Sequence, residues 1–289
     1  MEYPQDIMTI IEFKMKDLPT LPQVLGGVLD KINNPKSTTK DLADAISIDQ
    51  RITTQILRLV NSSFYGIRRQ ITSISDAIVM LGFQTIRNLV LASSVYNIFQ
   101  GTYNTPLFNY FNFWRHSLQV AISSQFIGKS KGYILQEELF ITGMLHDIGK
   151  ILIAMFLPAE FNKIANLMQE KGKTSSEAEE EILGINHSFI GKWLAERWEL
   201  PLLLIQGIAY HHYPLDANGD YLLSYILHSA DYYVNDSFGN IIENSGKPEI
   251  ADSVNEWLGW EDNLDKIGEF NDFVADKYNV IEDLISNLS

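Results

Sequence analysis

Apolar residues recur along this chain at three- and four-residue intervals, and no stretch alternates apolar and polar positions in the rhythm of a strand. Pro22 opens a helical pattern that runs to about Asn33, with Pro35 closing the turn. Thr38, followed three residues later by Asp41, has the form of a capping box with Asp substituted, leading into Leu42, Ala45 and Ile46. Ile52, Ile56, Leu59 and Val60 continue as one stripe that stops near Gly66. Helical patterns over residues 75–81 and 83–99 are separated at Gly82, and the polar, Pro-ended stretch 101–106 is the expected internal boundary.

Beyond that boundary, helical periods cover residues 113–127, 137–147, 161–170, 176–183 and 187–198. Ser176 with Glu179 is expected to cap the fourth of these. A further helix starts at Pro201 and runs into His211-His212, and another covers residues 221–234. A loop with Asn235, Asp236, Gly239, Gly246 and Pro248 precedes two last amphipathic patterns. The expectation is an all-α, two-lobed protein: an N-terminal helical lobe over 1–105, a second helical lobe over 106–236, and an acidic helical extension over 237–289.

Composition narrows the functional classes. In 289 residues, 46% are hydrophobic and 20% charged, which suits a globular chain with a real core and is too apolar for disorder. There is no cysteine, so disulfides and thiolate metal sites are excluded and any metal must be held by His, Asp or Glu. The first residues lack a basic segment followed by an apolar run, and the longest apolar stretch, 151–157, falls well short of the ~20 residues of a membrane span. A cytoplasmic protein without a membrane partner is expected. The net charge of −14 disfavours nucleic acid. From Glu249 to Ser289, eleven acidic residues against Lys266 and Lys277 carry −9 of that total, so the charge is uneven.

The candidate chemistry lies in the histidines. His146-Asp147, ending an apolar helix in Gly143-Met144-Leu145-His146-Asp147-Ile148-Gly149-Lys150, pairs imidazole and carboxylate on adjacent residues. His116 lies upstream; His187, the doublet His211-His212 and Asp231 lie downstream, so five of six histidines fall in one ordered series. Neutral imidazole and carboxylate suit Fe, Mn, Zn, Ni or Co, and Asp147 is the natural bridge between two ions. Two ions about 3.5–4 Å apart would polarise a phosphoryl oxygen and generate a hydroxide. Adjacent residues on a helix diverge by ~100°, so the doublet needs a helix end, which Pro214 supplies. Lys150, one turn beyond His146, could neutralise a phosphate oxygen, or simply favour the C-terminal dipole of its helix. His228, one turn before Asp231, is at best a support behind the ligands.

The order His…His-Asp…His…His-His…Asp resembles the HD superfamily of metal-dependent phosphohydrolases, nearest the HD-GYP branch that hydrolyses cyclic di-GMP. Leu18-Pro19-Thr20-Leu21-Pro22, Ile48-Asp49-Gln50, Leu57-Arg58-Leu59-Val60-Asn61-Ser62 and Ile78-Val79-Met80-Leu81-Gly82 are similar to the HDOD family, the HD-related output domain. So are Phe113-Trp114-Arg115-His116-Ser117, the His146-Asp147 segment and Trp198-Glu199-Leu200-Pro201. The resemblance covers about 18–236. It implies a bacterial signal-transduction output module, acting on signalling proteins, with no established common catalytic activity. Matched to the HD-GYP pattern, one ion would use His116, His146, Asp147 and Asp231, and the other would share Asp147 and add His187, His211 and His212. Iron or manganese is favoured, with zinc, nickel or cobalt as alternatives.

Two departures bear on activity. The doublet is followed by Tyr213-Pro214-Leu215-Asp216-Ala217-Asn218-Gly219, without the Glu and Gly-Tyr-Pro segment of HD-GYP enzymes. Asn112 stands where some relatives place a third-metal Glu. Two readings therefore stay open: a regulatory module holding metal for structure or ligand sensing, and a dinuclear phosphohydrolase of a nucleotide or cyclic nucleotide, with Asp147 and Lys150 as its catalytic groups. A third, DNA binding by a helix-turn-helix over 38–62, rests on a patch of only +2 between Ser37 and Gln70 and is disfavoured.

Overall fold

The computed structural model describes residues 36–100, 108–217, 219–238, 246, 248–261 and 263–288, with isolated positions before residue 36. The motif at Leu18–Pro22, most of the helix expected from Pro22, the 101–106 boundary and Gly239 lie outside the described residues; 26–28, 30 and 31 are helical. Every extended regular element among the described residues is a helix, so the protein is all-α. The helices are α1 (Thr39–Ser47), α2 (Gln50–Val60), α3 (Ile74–Phe99), α4 (Tyr110–Ser130), α5 (Gln136–Leu145), α6 (Ile148–Phe156) and α7 (Pro158–Lys171). They continue as α8 (Ser175–Leu183), α9 (His187–Arg197), α10 (Leu202–Tyr210), α11 (Tyr221–Phe238), α12 (Asp252–Leu258), α13 (Leu264–Asp276) and α14 (Tyr278–Leu288).

The chain divides into two compact units, one comprising Met1–Leu18 and Gly101–Asp276, the other Pro19–Gln100 and Lys277–Ser289. In the smaller unit, Thr38 and Asp41 form the expected capping box: Thr38 Oγ1 accepts from the Asp41 N–H, and Asp41 Oδ2 accepts from the Thr38 N–H at 2.8 Å. Asp49 caps α2 by accepting from the N–H groups of Arg51 and Ile52. Gly82, at φ +86° and ψ 164°, interrupts α3 at the place the pattern breaks; a side chain there would be strained. Asn61 closes the following loop with two 2.8 Å bonds, accepting from the Ile71 N–H and donating to its carbonyl. The last helix belongs to this unit: α14 buries Ile281, Leu284, Ile285 and Leu288 and packs on α2, where the Gln55 amide donates to the Leu288 carbonyl.

The larger unit is built on α4, which packs against α5 and α11, while α6 packs on α9 and α9 on α10. Its core includes Val120, Ile127, Leu139, Leu227 and Val234, sealed by Trp260, Phe270 and Val274 from the acidic C-terminal region. Each such fully buried apolar side chain contributes about 1.5–3 kcal/mol. The stretches Ile74–Phe99 and Gln136–Phe156 are long and apolar enough to cross a bilayer, but both are mostly buried as core helices. Two glycines allow the close helix approaches that matter for the site. A Cβ on Gly143 would lie 2.6 Å from the Ala121 Cα, and one on Gly149 only 2.0 Å from the His187 carbonyl oxygen.

Candidate metal centre

Five helices deliver seven potential ligands to one buried place. His116 projects from α4 and Asp231 from α11. His146 caps the C-terminus of α5, and Asp147 sits in the non-helical step (φ −95°, ψ 7°) between α5 and α6. His187 is the first residue of α9; His211 caps the end of α10, and His212 follows it before the short 3-10 turn at Pro214–Asp216. The doublet lies just past the end of the regular helix, and both rings reach the same cluster. All seven are buried except His212, which is partly so.

Asp147 stands between two groups of ligands. Its Oδ1 lies 3.0 Å from His187 Nε2 and 3.7 Å from His211 Nε2. Its Oδ2 lies 3.5 Å from His116 Nε2 and 3.4 Å from His146 Nε2. Asp231 Oδ1 completes the second group, 3.0 Å from His116 Nε2 and 3.7 Å from His146 Nε2. His212 completes the first, its Nε2 2.9 Å from His187 Nε2, which is itself 3.3 Å from His211 Nε2. Thus Asp147, His187, His211 and His212 form one cluster, and His116, His146 and Asp231 another, each with its ligand atoms within 4.8 Å of one another.

The rings are held from behind so that Nε2 points inward. His146 Nδ1 donates to the Gly143 carbonyl at 2.7 Å, and His211 Nδ1 to the Ile208 carbonyl at 2.8 Å, each three residues back at a helix end. His187 is held by Glu179, whose Oε2 accepts from its ring Nδ1 at 2.6 Å and its backbone N–H at 2.7 Å. Glu179 therefore does not cap α8, as Ser176 and Glu179 were expected to do; Thr174 and Glu177 form the capping box of that helix. That leaves Glu179, almost fully buried, free to orient a ligand eight residues later. Asn235 steadies Asp231, donating to its Oδ1 at 2.8 Å.

Electrostatics sort the groups. Burial opposes charge on both carboxylates, but imidazole neighbours, and Lys150 in the case of Asp147, hold Asp147 and Asp231 well below the usual range. Burial lowers His146 too, yet Asp147 and Asp231 overcome it and raise its pKa to about 10. Against the same burial, Glu179 raises His187. His211 and His212 are pushed well below their usual value by burial and then by neighbouring imidazoles, so both are neutral. Lys150 Nζ donates to Asp147 Oδ2 at 2.7 Å, with burial outweighed by the carboxylates around it.

These residues fit divalent ions. His116 Nε2, His146 Nε2 and Asp147 Oδ1 are buried without a directed hydrogen bond, which is costly unless something else satisfies them. His187 and His211 both donate from Nδ1, so as neutral rings their Nε2 lone pairs meet at 3.3 Å, and His212 Nε2 lies 2.9 Å from His187 Nε2. Such separations are the edge of a coordination shell with metal–nitrogen bonds of about 2.0–2.1 Å. The neutral imidazole and carboxylate donors suit the first-row metals from manganese to zinc. The buried His/Asp clusters thus point to a metal site.

A cavity of about 410 Å³ borders it. Lys150, His212 and Asp231 line the end nearest the ligands; Phe108, Phe161 and Met168 line an apolar side. Phe108 packs edge-on to Phe161, with ring centres 5.7 Å apart. His228 also lines the cavity and touches the centre only from behind, donating from Nδ1 to the His211 carbonyl at 2.7 Å.

Known proteins share this arrangement of the chain. A candidate phosphohydrolase from Shewanella amazonensis SB2B is 29% identical, with a TM-score of 0.74, covering 97% of this chain and 98% of that one. An HDOD domain protein of unknown function from Geobacter sulfurreducens is 26% identical, again at a TM-score of 0.74, covering 98% and 97%. An uncharacterised protein of Treponema pallidum (strain Nichols) is 26% identical over 200 residues, which is 69% of this chain but 38% of that protein. This chain thus matches well under half the length of that relative. The HDOD domain profile matches residues 18–214, about two thirds of the sequence, and the chain belongs to the HDOD domain family.

Proposed function

We propose that the protein is a cytoplasmic signal-transduction output module whose larger unit holds two divalent transition-metal ions, iron or manganese before zinc, nickel or cobalt. The observation that carries this reading is the position of Asp147, with one carboxylate oxygen turned to His187 and His211 and the other to His116 and His146. His116, His146 and Asp231 would hold one ion, His187, His211 and His212 the other, with Asp147 shared. Bound there, the ions would supply Lewis acidity toward a phosphoryl oxygen and an activated water. Membership of the HDOD family is in keeping with a regulatory role and another signalling protein as partner, and the net charge of −14 disfavours nucleic acid or an anionic membrane. Elemental analysis of tag-free protein purified without chelator tests the centre. About two equivalents of metal, lost in His146→Ala, are expected; none after reconstitution would leave the histidines structural.

A second reading, hydrolysis of a nucleotide or cyclic nucleotide, is favoured by the cavity that meets Lys150, His212 and Asp231 at one end. The likeness to a candidate phosphohydrolase along nearly its whole length supports the same reading. In it, Lys150 would balance phosphate charge and the aromatic side of the cavity would receive the base. Turnover of a nucleotide panel by manganese- or iron-loaded protein, abolished in Asp147→Ala, is the expected result; activity that survives the substitution belongs to a contaminant.

A further inference from the structure

His228 makes two hydrogen bonds with opposite roles, and they join parts of the larger unit that are far apart in sequence. Its Nδ1 donates to the carbonyl of His211 at 2.7 Å, and its Nε2 accepts from the N–H of Ala251 at 3.1 Å. A carbonyl can only accept and an amide N–H can only donate, so the ring is the neutral Nδ1–H tautomer. The side chain is buried, and both of its nitrogens are in use.

The two ends of this link have different surroundings. His211 presents its ring to Asp147 and His187. Ala251 is the N-cap of α12 and has no side chain to cap it, so His228 satisfies its N–H. Immediately before it, Pro248 and Glu249 form part of the cavity wall, and Ile250 packs on the core. Gly246 fastens the same stretch to the α7–α8 turn, donating to the Lys173 carbonyl at 2.9 Å. Its backbone comes so near that a Cβ on Gly246 would lie 2.2 Å from the Gly172 carbonyl oxygen. The wall is pinned at Gly246 and Ala251, and the second pin leads through His228 directly to a candidate ligand.

We propose that His228 is a positioning residue that couples the metal centre to the cavity wall: an ion drawn to His211 steadies the His228 link and holds Ala251 and its neighbours in place. The coupling rests on the reading of the clusters as a metal centre. It implies a cavity whose wall is firm when the centre is loaded and looser when it is empty. Coupling is reciprocal, so severing the link also weakens the ion's hold by the same factor.

Two substitutions cut the link at different points. In His228→Asn the amide sits where Nδ1 was, keeping the donor to His211 and losing Ala251. In His228→Gln it sits where Nε2 was, keeping an acceptor for Ala251 and losing His211. If one variant is too unstable to study, the other carries the test. The full chain is titrated with Zn(II), and bound zinc and hydrogen exchange at Ala251 are measured together. In the wild-type protein zinc should slow that exchange by about five- to tenfold, a modest allosteric factor. In either variant the zinc effect should vanish, with affinity weaker by a similar factor. A merely structural His228 would change stability and basal exchange but leave the zinc effect intact, and that result overturns the coupling. Bound zinc with unchanged Ala251 exchange in the wild type overturns the coupling alone; no bound zinc overturns the metal reading and the coupling together.

Discussion

The two units bury polar side chains on opposite terms. In the smaller unit the buried Gln55 and half-buried Asn97 exchange hydrogen bonds of 3.0 and 2.8 Å, and Asn61, at the surface, uses both ends of its amide on Ile71. In the larger unit the ring nitrogens at the centre are turned toward one another and toward two carboxylates, and His116 Nε2, His146 Nε2 and Asp147 Oδ1 have no directed hydrogen bond. Ser93 and Ser94 show that a lone unmatched hydroxyl also occurs in the smaller unit. What distinguishes the centre is convergence, with seven side chains from five helices in two clusters. Paired polar groups hold a fold; converging unpaired ones wait for a ligand.

The substitution that tests this contrast most severely is Asp147→Asn. It removes the candidate bridging carboxylate and leaves the partly buried Lys150 without the oxygen its Nζ donates to. Loss of residues that only support ligands costs about 10–100-fold in metal affinity, so loss of the bridge should exceed about 100-fold and empty both positions. Breaking the buried pair should also destabilise the larger unit by about 3–5 kcal/mol. Elemental analysis and thermal unfolding read the two effects separately. Retention of both ions would show that Asp147 is not the bridge.

Gly149→Ala attacks the same centre through packing. The added methyl meets the His187 carbonyl at 2.0 Å, so α6 and α9 must separate. Overpacking of this kind costs about 1–3 kcal/mol, and backbone offers less relief than a side chain. The Asp147–His187 side should lose metal before the His116–His146 side. Gly268→Ala is the control: it lies within α13 with no atom inside 4 Å of the added methyl, and should stabilise by up to about 1 kcal/mol. Equal melting temperatures for the two variants would refute the close-approach argument.

How much of this was visible in the sequence depends on the range of the interactions. Thr38 and Asp41 satisfy each other within one turn, and Gly82 breaks its own helix, so both features are legible locally. The five candidate histidine ligands stand out because the chain has only six histidines; Asp147 is picked out by its place beside His146, whereas Asp231 has no such local mark among 36 acidic residues. Which oxygen of Asp147 faces which group is decided by the crossing of α6 with α9 and of α4 with α11, and no residue spacing contains that. Glu179 was misread because Ser176–Glu179 and Thr174–Glu177 have the same spacing, and only the fold turns Glu179 toward His187. The amphipathic pattern of α14 shows that it has a face to bury; that the face meets α2 is a tertiary fact.

Glu179→Gln sharpens the contrast between holding and binding. The amide keeps most of the shape but loses the charge that supports the His187 ring, so metal affinity should fall about 10–100-fold while the fold survives. Isothermal titration with zinc measures the change; an unaltered affinity would reduce Glu179 to a backbone cap of α9. The pH dependence follows from His146. Its pKa of about 10 means that the metal-free centre carries a proton there at neutral pH, and a ligand must surrender it. Affinity should therefore rise with pH up to about 10, by about tenfold per unit for each proton released. Titrations in buffers of different ionisation enthalpy count that proton, and a pH-independent affinity between 7 and 9 would rule out His146 as a ligand.

The smallest effect belongs to the smaller unit. Thr38→Ala removes the hydroxyl that accepts from the Asp41 N–H and ends the reciprocal capping box at the start of α1. Such a cap is worth about 1 kcal/mol. Because Thr38 and Asp41 satisfy each other within one turn, the loss should be the same with zinc present or absent, and zinc affinity should not change. Thermal melts in both conditions test that. A stability loss that grows or shrinks with zinc would mean that the paired amides and caps of the smaller unit also respond to the centre, and the division between a unit that only holds its fold and a unit that binds would no longer stand.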